Sequence, residues 1–386
     1  MTTLEHPTSF TTLPRRFYLD DAHLFESEME RIWYREWLYL GHESELDTPG
    51  DYVVRSLLGE EVIVVRTESG DIAAHLNVCR HRGARIVDQP CGRLKRIVCP
   101  YHQWTYRLDG QLHAAPSMPQ SERVDYPALG LYAVPTETWN GLVFGCLGET
   151  APDPLGAEIA RFAPSLAEYE PRSWRPVERR SYSCRANWKV VLENYLECYH
   201  CAASHPQFCV TADPRVRASD EFNSQAFNPS SYWGMNVPLR EGTVSASATG
   251  AAVSAVPLGR GEPAWGRARS FGSWCASSVV YCYADYAMVH QIAPVSPVET
   301  AFHLTWFVDT DAVERDVDTN ELTHVWDMTT KQDIALIERT QAGLQSRRYA
   351  PGPLSLTHEP YIHSSLTIYL TLMAGDARVT ELAPSA

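Results

Sequence analysis

Apolar positions change their period several times along this 386-residue chain. Residues 20–42 carry Leu24, Phe25, Met29, Ile32, Trp33 and Trp37 at helical spacing behind Asp20 or Asp21, which predicts one capped helix. From about 50 to 147 the texture becomes short alternating runs: "DYVVRSL", "EEVIVVRT", "IAAHLNV", "RIVCPY", "WTYRLDG" and "NGLVFGCLG". Gly, Pro and Asp punctuate them, as expected of a small all-β module. "GETAPDPLGAE", 148–158, reads as its exit linker. Helical spacing returns from about Ala186, at Trp188, Val191, Leu192, Tyr195 and Tyr199. Residues 241–270 are rich in Ala, Ser and Gly without an apolar face, which predicts a long mobile loop able to act as a lid. "SSVVYCYADYAMVHQIAPV" and "TAFHLTWFVDTD" read as antiparallel strands, and 319–346 as helix. The expected organisation is a helical segment over 1–42 that packs on the C-terminal domain, a β module over 43–150, and an α+β domain over 151–386.

Composition narrows the classes. No run of about 18 apolar residues exists to span a membrane, and the N-terminus has no apolar core of a secretory signal, so the expected location is the cytoplasm. A net charge of −14 leaves no basic excess to neutralise phosphates, which argues against nucleic acid. It suits a cationic substrate or a basic redox partner, and equally serves solubility. Ten irregularly spaced cysteines do not form a secreted disulfide framework, and those near histidines are better read as metal ligands. Cys91 fits no such pattern and reads as a free buried thiol.

"CRHRG" supplies Cys79 and His81; "CPYHQW", after seventeen intervening residues, supplies Cys99 and His102. Each pair falls on a loop between expected strands, so the loops can close on one centre. Two thiolates and two imidazoles suit a tetrahedral zinc or a cluster with cysteines on one iron and histidines on the other. Because each loop offers one cysteine and then one histidine, each can reach both irons. That order, with Gly83 and Pro100, resembles a Rieske [2Fe–2S] domain over about residues 40–150.

A second constellation lies in "NYLECYHCAASHP". On a straight helix His200 and His205 would point about 140° apart. Pro206 disfavours helical geometry at His205, so the helix is expected to end between them and let the second imidazole fold back. Two such imidazoles form two-thirds of the facial triad of non-haem iron(II) oxygenases. The candidate third ligand is Asp333, which falls on a stripe with Trp326, Ile337 and Thr340, a place where a carboxylate needs compensation. A buried Asp–Arg pair would supply it as well as a metal. Asp327 and Glu338 fall off that stripe. Glu197, three residues before His200, is either a solvated carboxylate or a group orienting the ligating imidazole.

Taken together, the Rieske motif, "NWKVVLENYLECYHCAASH" and "QDIALIERTQAG" resemble the α subunit of Rieske non-haem iron oxygenases over nearly the whole chain. The resemblance implies a helix-grip α+β catalytic domain, a mononuclear Fe(II) held by His200, His205 and Asp333, and a [2Fe–2S] cluster held by Cys79, His81, Cys99 and His102. It also implies O2 as cosubstrate and electrons from NAD(P)H through a separate flavin/iron–sulfur reductase. The resemblance further implies a ring of subunits, commonly a trimer, in which Glu197 would link His200 to His102 of a neighbour. Most ring-hydroxylating relatives have aspartate there, one residue further on. The "LEN-x-x-ECYHC-x-x-SHP" spacing and "YAPGPLSLTHEPYIHSS" are similar to the branch acting on glycine betaine, proline betaine, carnitine and choline. The implied reaction is N-methyl hydroxylation, with demethylation and formaldehyde release. A trimethylammonium group donates no hydrogen bonds and needs an aromatic cage. Trp233, Trp274, Tyr281, Tyr283, Tyr286 and Trp306 lie in segments able to form one, although each is also suited to core packing. An aromatic or natural-product substrate on the same machinery is the alternative. An electron carrier or zinc protein without catalysis would leave His200, His205 and Asp333 unexplained.

Overall fold

The computed structural model describes residues 10–118, 125–160, 162–213, 232–259, 267–313 and 317–374. The chain divides into two compact units. One comprises 34–157 with 171–176, and the other 1–33, 158–170 and 177–386.

The smaller unit is all-β. Its strands are β1 (Leu38–His42), β2 (Asp51–Leu57), β3 (Glu60–Arg66), β4 (Ile72–Leu76), β5 (Cys91–Arg93), β6 (Ile97–Val98), β7 (Thr105–Tyr106), β8 (Leu112–Ala114), β9 (Ala133–Val134), β10 (Thr136–Trp139) and β11 (Leu142–Gly145). They form sheets ordered β5-β2-β3-β4-β9, β1-β11-β10 and β6-β7-β8. Ile63, Val65, Ile97, Trp104 and Tyr106 share one apolar core with Cys79 and Cys99, so the two cysteine loops are rooted in the interior. Cys91 is free but exposed on β5, contrary to the buried thiol expected, because β5 is a short edge strand.

The larger unit is α+β. Helix α1 (Ala22–Arg31) is capped by Asp21, whose carboxylate accepts from the N–H groups of His23 and Leu24. The single helix expected over 20–42 therefore ends at Arg31. Beyond it, "LYLGH" is buried at all five positions as β1, and aromatic and branched side chains there favour a paired strand. Glu28 of α1 is buried, and accepts from Lys189 Nζ at 2.5 Å, Trp188 Nε1 at 2.8 Å and Tyr369 Oη at 2.7 Å.

Strands β12 (Trp174–Cys184), β13 (Tyr232–Pro238), β14 (Arg267–Ser273), β15 (Val279–Cys282), β16 (Ala287–Ser296) and β17 (Glu299–Asp309) form one sheet ordered β12-β17-β16-β15-β14-β13. Register fixes its faces: His290 lies opposite Val279 and Leu304, and Met288 opposite Tyr281 and Trp306. These six residues share the face met by helices α2 (Trp188–Tyr195) and α5 (Thr319–Leu344). Helices α3 (Cys201–Ser204), α4 (Phe208–Thr211) and α6 (Pro360–Met373) flank them, and short helical turns occur at Leu155–Glu158, Ala163–Ala167 and Thr310–Val313. Asn187 caps α2 and Asp318 caps α5. Trp326, Asp333 and Ile337 are buried on one side of α5, whereas Thr340 is exposed and Gln341 and Leu344 continue the buried side.

The lid expected over 241–270 is corrected where it is described. Ser245 and Ser247 are fully buried. Asp285, in the β15–β16 turn, accepts from Ser245 Oγ at 2.7 Å and Val253 N at 2.6 Å. Tyr286 Oη donates to the Ala246 carbonyl at 2.9 Å. Small polar side chains here serve close packing around a buried carboxylate.

Candidate metal centres and substrate pocket

In the β unit the two cysteine loops have the same backbone plan. Cys79 N–H donates to Ala84 O at 2.9 Å and Gly83 N–H to Cys79 O at 2.9 Å. Cys99 N–H donates to Trp104 O at 2.9 Å and Gln103 N–H to Cys99 O at 3.1 Å. The closing residue has positive φ in both loops, +74° at Gly83 and +60° at Gln103. Glycine tolerates this freely, and glutamine only under constraint. Cys79 and Cys99 are buried, and the imidazoles of His81 and His102 lie 4.7 Å apart between centroids. Trp104 stacks on His81 at 4.8 Å and Tyr101 lies against His102 at 3.8 Å. His81 Nδ1 is buried with no hydrogen-bond partner. Burial pushes the Cys99 thiol up, so without a metal this pocket favours neutral sulfur. An orphaned imidazole nitrogen beside two buried sulfurs fits a cluster with mixed thiolate and imidazole ligands. Tyr106 Oη lies 3.2 Å from Cys79 Sγ and accepts from Arg80 N at 3.1 Å.

In the larger unit His200, His205 and Asp333 converge. The two Nε2 atoms are 3.1 Å apart, and Asp333 Oδ1 lies 3.2 Å from the first and 3.0 Å from the second. A divalent transition ion with bonds of about 2.1 Å sets neighbouring octahedral ligand atoms about 3.0 Å apart. The near-equilateral donor triangle fits one face of such a shell. Helix α2 stops at Tyr195, before His200, and not between the histidines as expected. Just beyond that end the Glu197 carboxylate accepts from the N–H groups of Tyr199 and His200, which competes with continued helical bonding towards His200. Pro206 acts as expected at the next stop, leaving His205 at φ −121° and ψ 71° after α3.

Neighbouring groups fix both rings. Glu197 Oε1 contacts His200 Nδ1, and Gln332 Oε1 lies 3.0 Å from His205 Nδ1. Gln332 is held in turn by Gln207 at 2.8 Å. Burial opposes charge on His200, but Asp333 and Glu197 outweigh it and lift its pKa to about 9. Burial likewise opposes the Asp333 carboxylate, but bonds from His200 and His205 hold it below its ordinary range. The buried Asp–Arg pair considered for Asp333 occurs instead at Asp327, which meets Arg180 at 3.0 Å and Lys331 at 2.7 Å. Glu338 pairs with Arg185 at 3.0 Å. Cys198 and Cys201 are joined as a disulfide around His200, a pairing that the expectation of metal-bound cysteines near histidines missed.

The aromatic candidates separate. Tyr281 packs against Trp326 of α5 at 4.3 Å, and Phe208 lies 6.1 Å from the same indole. Tyr283 and Tyr286 stack at 4.6 Å across the β15–β16 turn. Burial, and then the negative charge of Asp333, raise the Tyr281 pKa, which sets this ring in the electrostatic reach of the triad. Trp306 is fully buried with the Arg180 guanidinium 5.9 Å from its ring centre, so it already has a cation of its own chain. Trp274 is buried and its carbonyl accepts from Ser365 Oγ at 3.1 Å, next to α6. The side chain of Trp233 lies outside the described residues; its backbone pairs with Gly272. Trp326, Phe208, Tyr195 and Gln332 were missed as site residues. Only Trp326 left a signal, its place on the Asp333 stripe.

Residues 171–375 match the catalytic domain of the ring-hydroxylating α subunit family, and 36–135 match the Rieske [2Fe–2S] domain. The chain is 34% identical over 377 residues to a glycine betaine monooxygenase oxygenase subunit of Pseudomonas aeruginosa, covering 90% of this chain and 86% of the relative. It is 34% identical over 210 residues to a carnitine monooxygenase oxygenase subunit of Escherichia coli, 53% and 54% of the two chains. The fold resembles that of the quaternary ammonium Rieske monooxygenase CntA in complex with L-carnitine, with TM-score 0.74 and 23% identity over 94% of this chain and 95% of that one.

Proposed function

The chain belongs to the ring-hydroxylating α-subunit family of Rieske oxygenases, and from that premise we propose that it hydroxylates an N-methyl group of a betaine-like quaternary ammonium substrate. The observation that supports the substrate class is the aromatic wall formed by Tyr281 of β15 and Trp326, which shares helix α5 with Asp333, together with the stacked pair Tyr283 and Tyr286. Aromatic faces attract a cation that cannot donate hydrogen bonds, by about 0.5–2 kcal/mol per favourable contact.

Cys79, His81, Cys99 and His102 would hold the cluster, and His200, His205 and Asp333 the ferrous ion. Bound there, these groups supply electrons and activate O2. The protein's own part is placement. Gln332 and Glu197 orient the two imidazoles through their Nδ1 atoms, and Asp333 neutralises part of the ion's charge. The aromatic wall holds the ammonium so that a methyl C–H faces the triad. O2, two electrons and two protons then give the N-hydroxymethyl product and water. That hemiaminal collapses to the tertiary amine, formaldehyde and a proton.

Electrons would come from NAD(P)H through a separate flavin/iron–sulfur reductase. A homotrimeric ring in the cytoplasm, in which Glu197 also reaches His102 of a neighbouring subunit, completes the proposal. Among the described residues no helix is long and apolar enough to cross a membrane.

The test is a panel of betaines, carnitine, choline and arenes supplied with reductase and O2. Formaldehyde equal to O2 consumed with a betaine is the expected result. Formaldehyde from none of the ammonium compounds, with a hydroxylated arene instead, would overturn this reading in favour of an aromatic substrate.

A further inference from the structure

His290 is fully buried in the middle of β16, and neither of its ring nitrogens has a hydrogen-bond partner. The residues beside it on its face are Met288 and Ile292, and those opposite are Val279 and Leu304, none with a polar side chain. Tyr195 stacks on its ring at 4.3 Å and Phe302 meets it edge-on at 5.5 Å. Burial drives its pKa down to about 3, with the nearby Asp333 charge acting in the opposite direction. The imidazole therefore stays neutral, with one N–H donor and one acceptor. Two unpaired polar atoms in an apolar layer are costly to keep, and native interiors satisfy almost all such groups. This one lies on the sheet face that carries Tyr281, within electrostatic reach of the triad aspartate.

We propose that His290 is a substrate-positioning residue, whose N–H binds the oxygen-bearing end of the substrate while the aromatic wall holds its trimethylammonium group. The inference rests on the quaternary ammonium reading and adds the second contact that a short zwitterion or amino alcohol needs. An ammonium alone can rotate against aromatic faces. A fixed N–H to an oxygen on the same skeleton selects which methyl group faces the triad.

The test is calorimetric binding to the iron-loaded enzyme, wild type and His290→Phe, with glycine betaine (carboxylate), choline (hydroxyl) and tetramethylammonium (no oxygen). The expected result is a loss of about 10–100-fold in affinity for one or both oxygenated compounds, the size of one buried hydrogen bond to a charged or polar group. Tetramethylammonium should change less than about twofold, a margin well below one such bond. The betaine and choline arms tell whether carboxylate or hydroxyl is the acceptor. Because phenylalanine replaces a ring that makes no hydrogen bonds, the ligand-free thermal midpoint of the variant should not fall. His290→Asn, which restores an N–H, should recover part of the affinity. An equal loss with all three compounds, together with a lower midpoint, would mean a packing role and overturn the proposal. So would unchanged affinity for both oxygenated compounds, as expected if the nitrogens merely bind water. Wild-type enzyme that binds none of the three would overturn the quaternary ammonium reading itself, and this inference with it.

Discussion

Loading ferrous ion into the His200–His205–Asp333 site should expel close to one proton per ion at pH 7.5. In the metal-free site burial disfavours an imidazolium at His200, but carboxylates on both sides prevail and hold its pKa at about 9. About 97% of His200 is then protonated at pH 7.5, and only about 9% at pH 10. A metal takes the lone pair on Nε2, so the proton must leave. Affinity for the ion should rise about tenfold per pH unit up to about pH 9 and then level off. The metal-free protein shows the mirror image. A pKa raised above the ordinary 6.5 contributes stability that is complete below pH 6.5 and lost as pH rises through about 9, at most about 3 kcal/mol. The assay strips the mononuclear ion anaerobically with a chelator, leaves the cluster in place, and returns ferrous ion in a pH-stat. Glu197→Gln should lower the release by removing one of the two carboxylates. An ordinary imidazole would give up only about 0.1 proton at pH 7.5. A value that small from the wild type would refute the pairing of His200 with both carboxylates.

Three further outcomes follow from single contacts. Tyr106→Phe removes the hydroxyl 3.2 Å from Cys79 Sγ, and a hydrogen bond to sulfur favours the more negative reduced cluster. Its midpoint potential should drop by about 20–60 mV in a redox titration, and no shift would mean that the contact carries no hydrogen bond. Asp285→Ala unties Ser245 and the Val253 amide, so urea denaturation should show about 2–4 kcal/mol less stability. Amide exchange should accelerate over 243–258, and unchanged protection there would remove the anchoring role. Lys189→Met leaves Glu28 buried without its cation and should cost about 3–5 kcal/mol, whereas adding Glu28→Gln should restore most of that loss. Equal losses in the single and double variants would mean that packing around α1, and not the ion pair, sets the cost.

The two clusters of candidate ligands were legible because metal chemistry restricts such sets to a few residue types at short spacing. Cys79 with His81, and Cys99 with His102, need little more than the turn that each loop makes. Asp333 stood out as a carboxylate on an apolar stripe of a long helix, but the stripe alone left a metal and an arginine partner equally open, and the family resemblance favoured the metal. Pro206 marks only the second of the two helix ends, after α3, whereas α2 already ends at Tyr195. A side chain that takes up backbone N–H groups two and three residues ahead competes with helical bonding there. Segment 241–259 looked featureless because its tether, Asp285, is about thirty to forty residues away in sequence, and serine and alanine do not announce a buried turn. Trp326 and Tyr281 meet across a helix and a strand, a pairing that no local pattern encodes. His290 was hidden for a similar reason: a single histidine in an apolar strand reads as core until its partners are counted.

The central claim is that His200, His205 and Asp333 hold the ion at which the substrate is oxidised, apart from the cluster. Iron and acid-labile sulfide per chain, measured beside formaldehyde yield for wild type and Asp333→Ala, tests it most directly. The account expects about three irons and two sulfides in the wild type, and about two irons and two sulfides with no formaldehyde in the variant. A variant that keeps all its iron and still releases formaldehyde would contradict it.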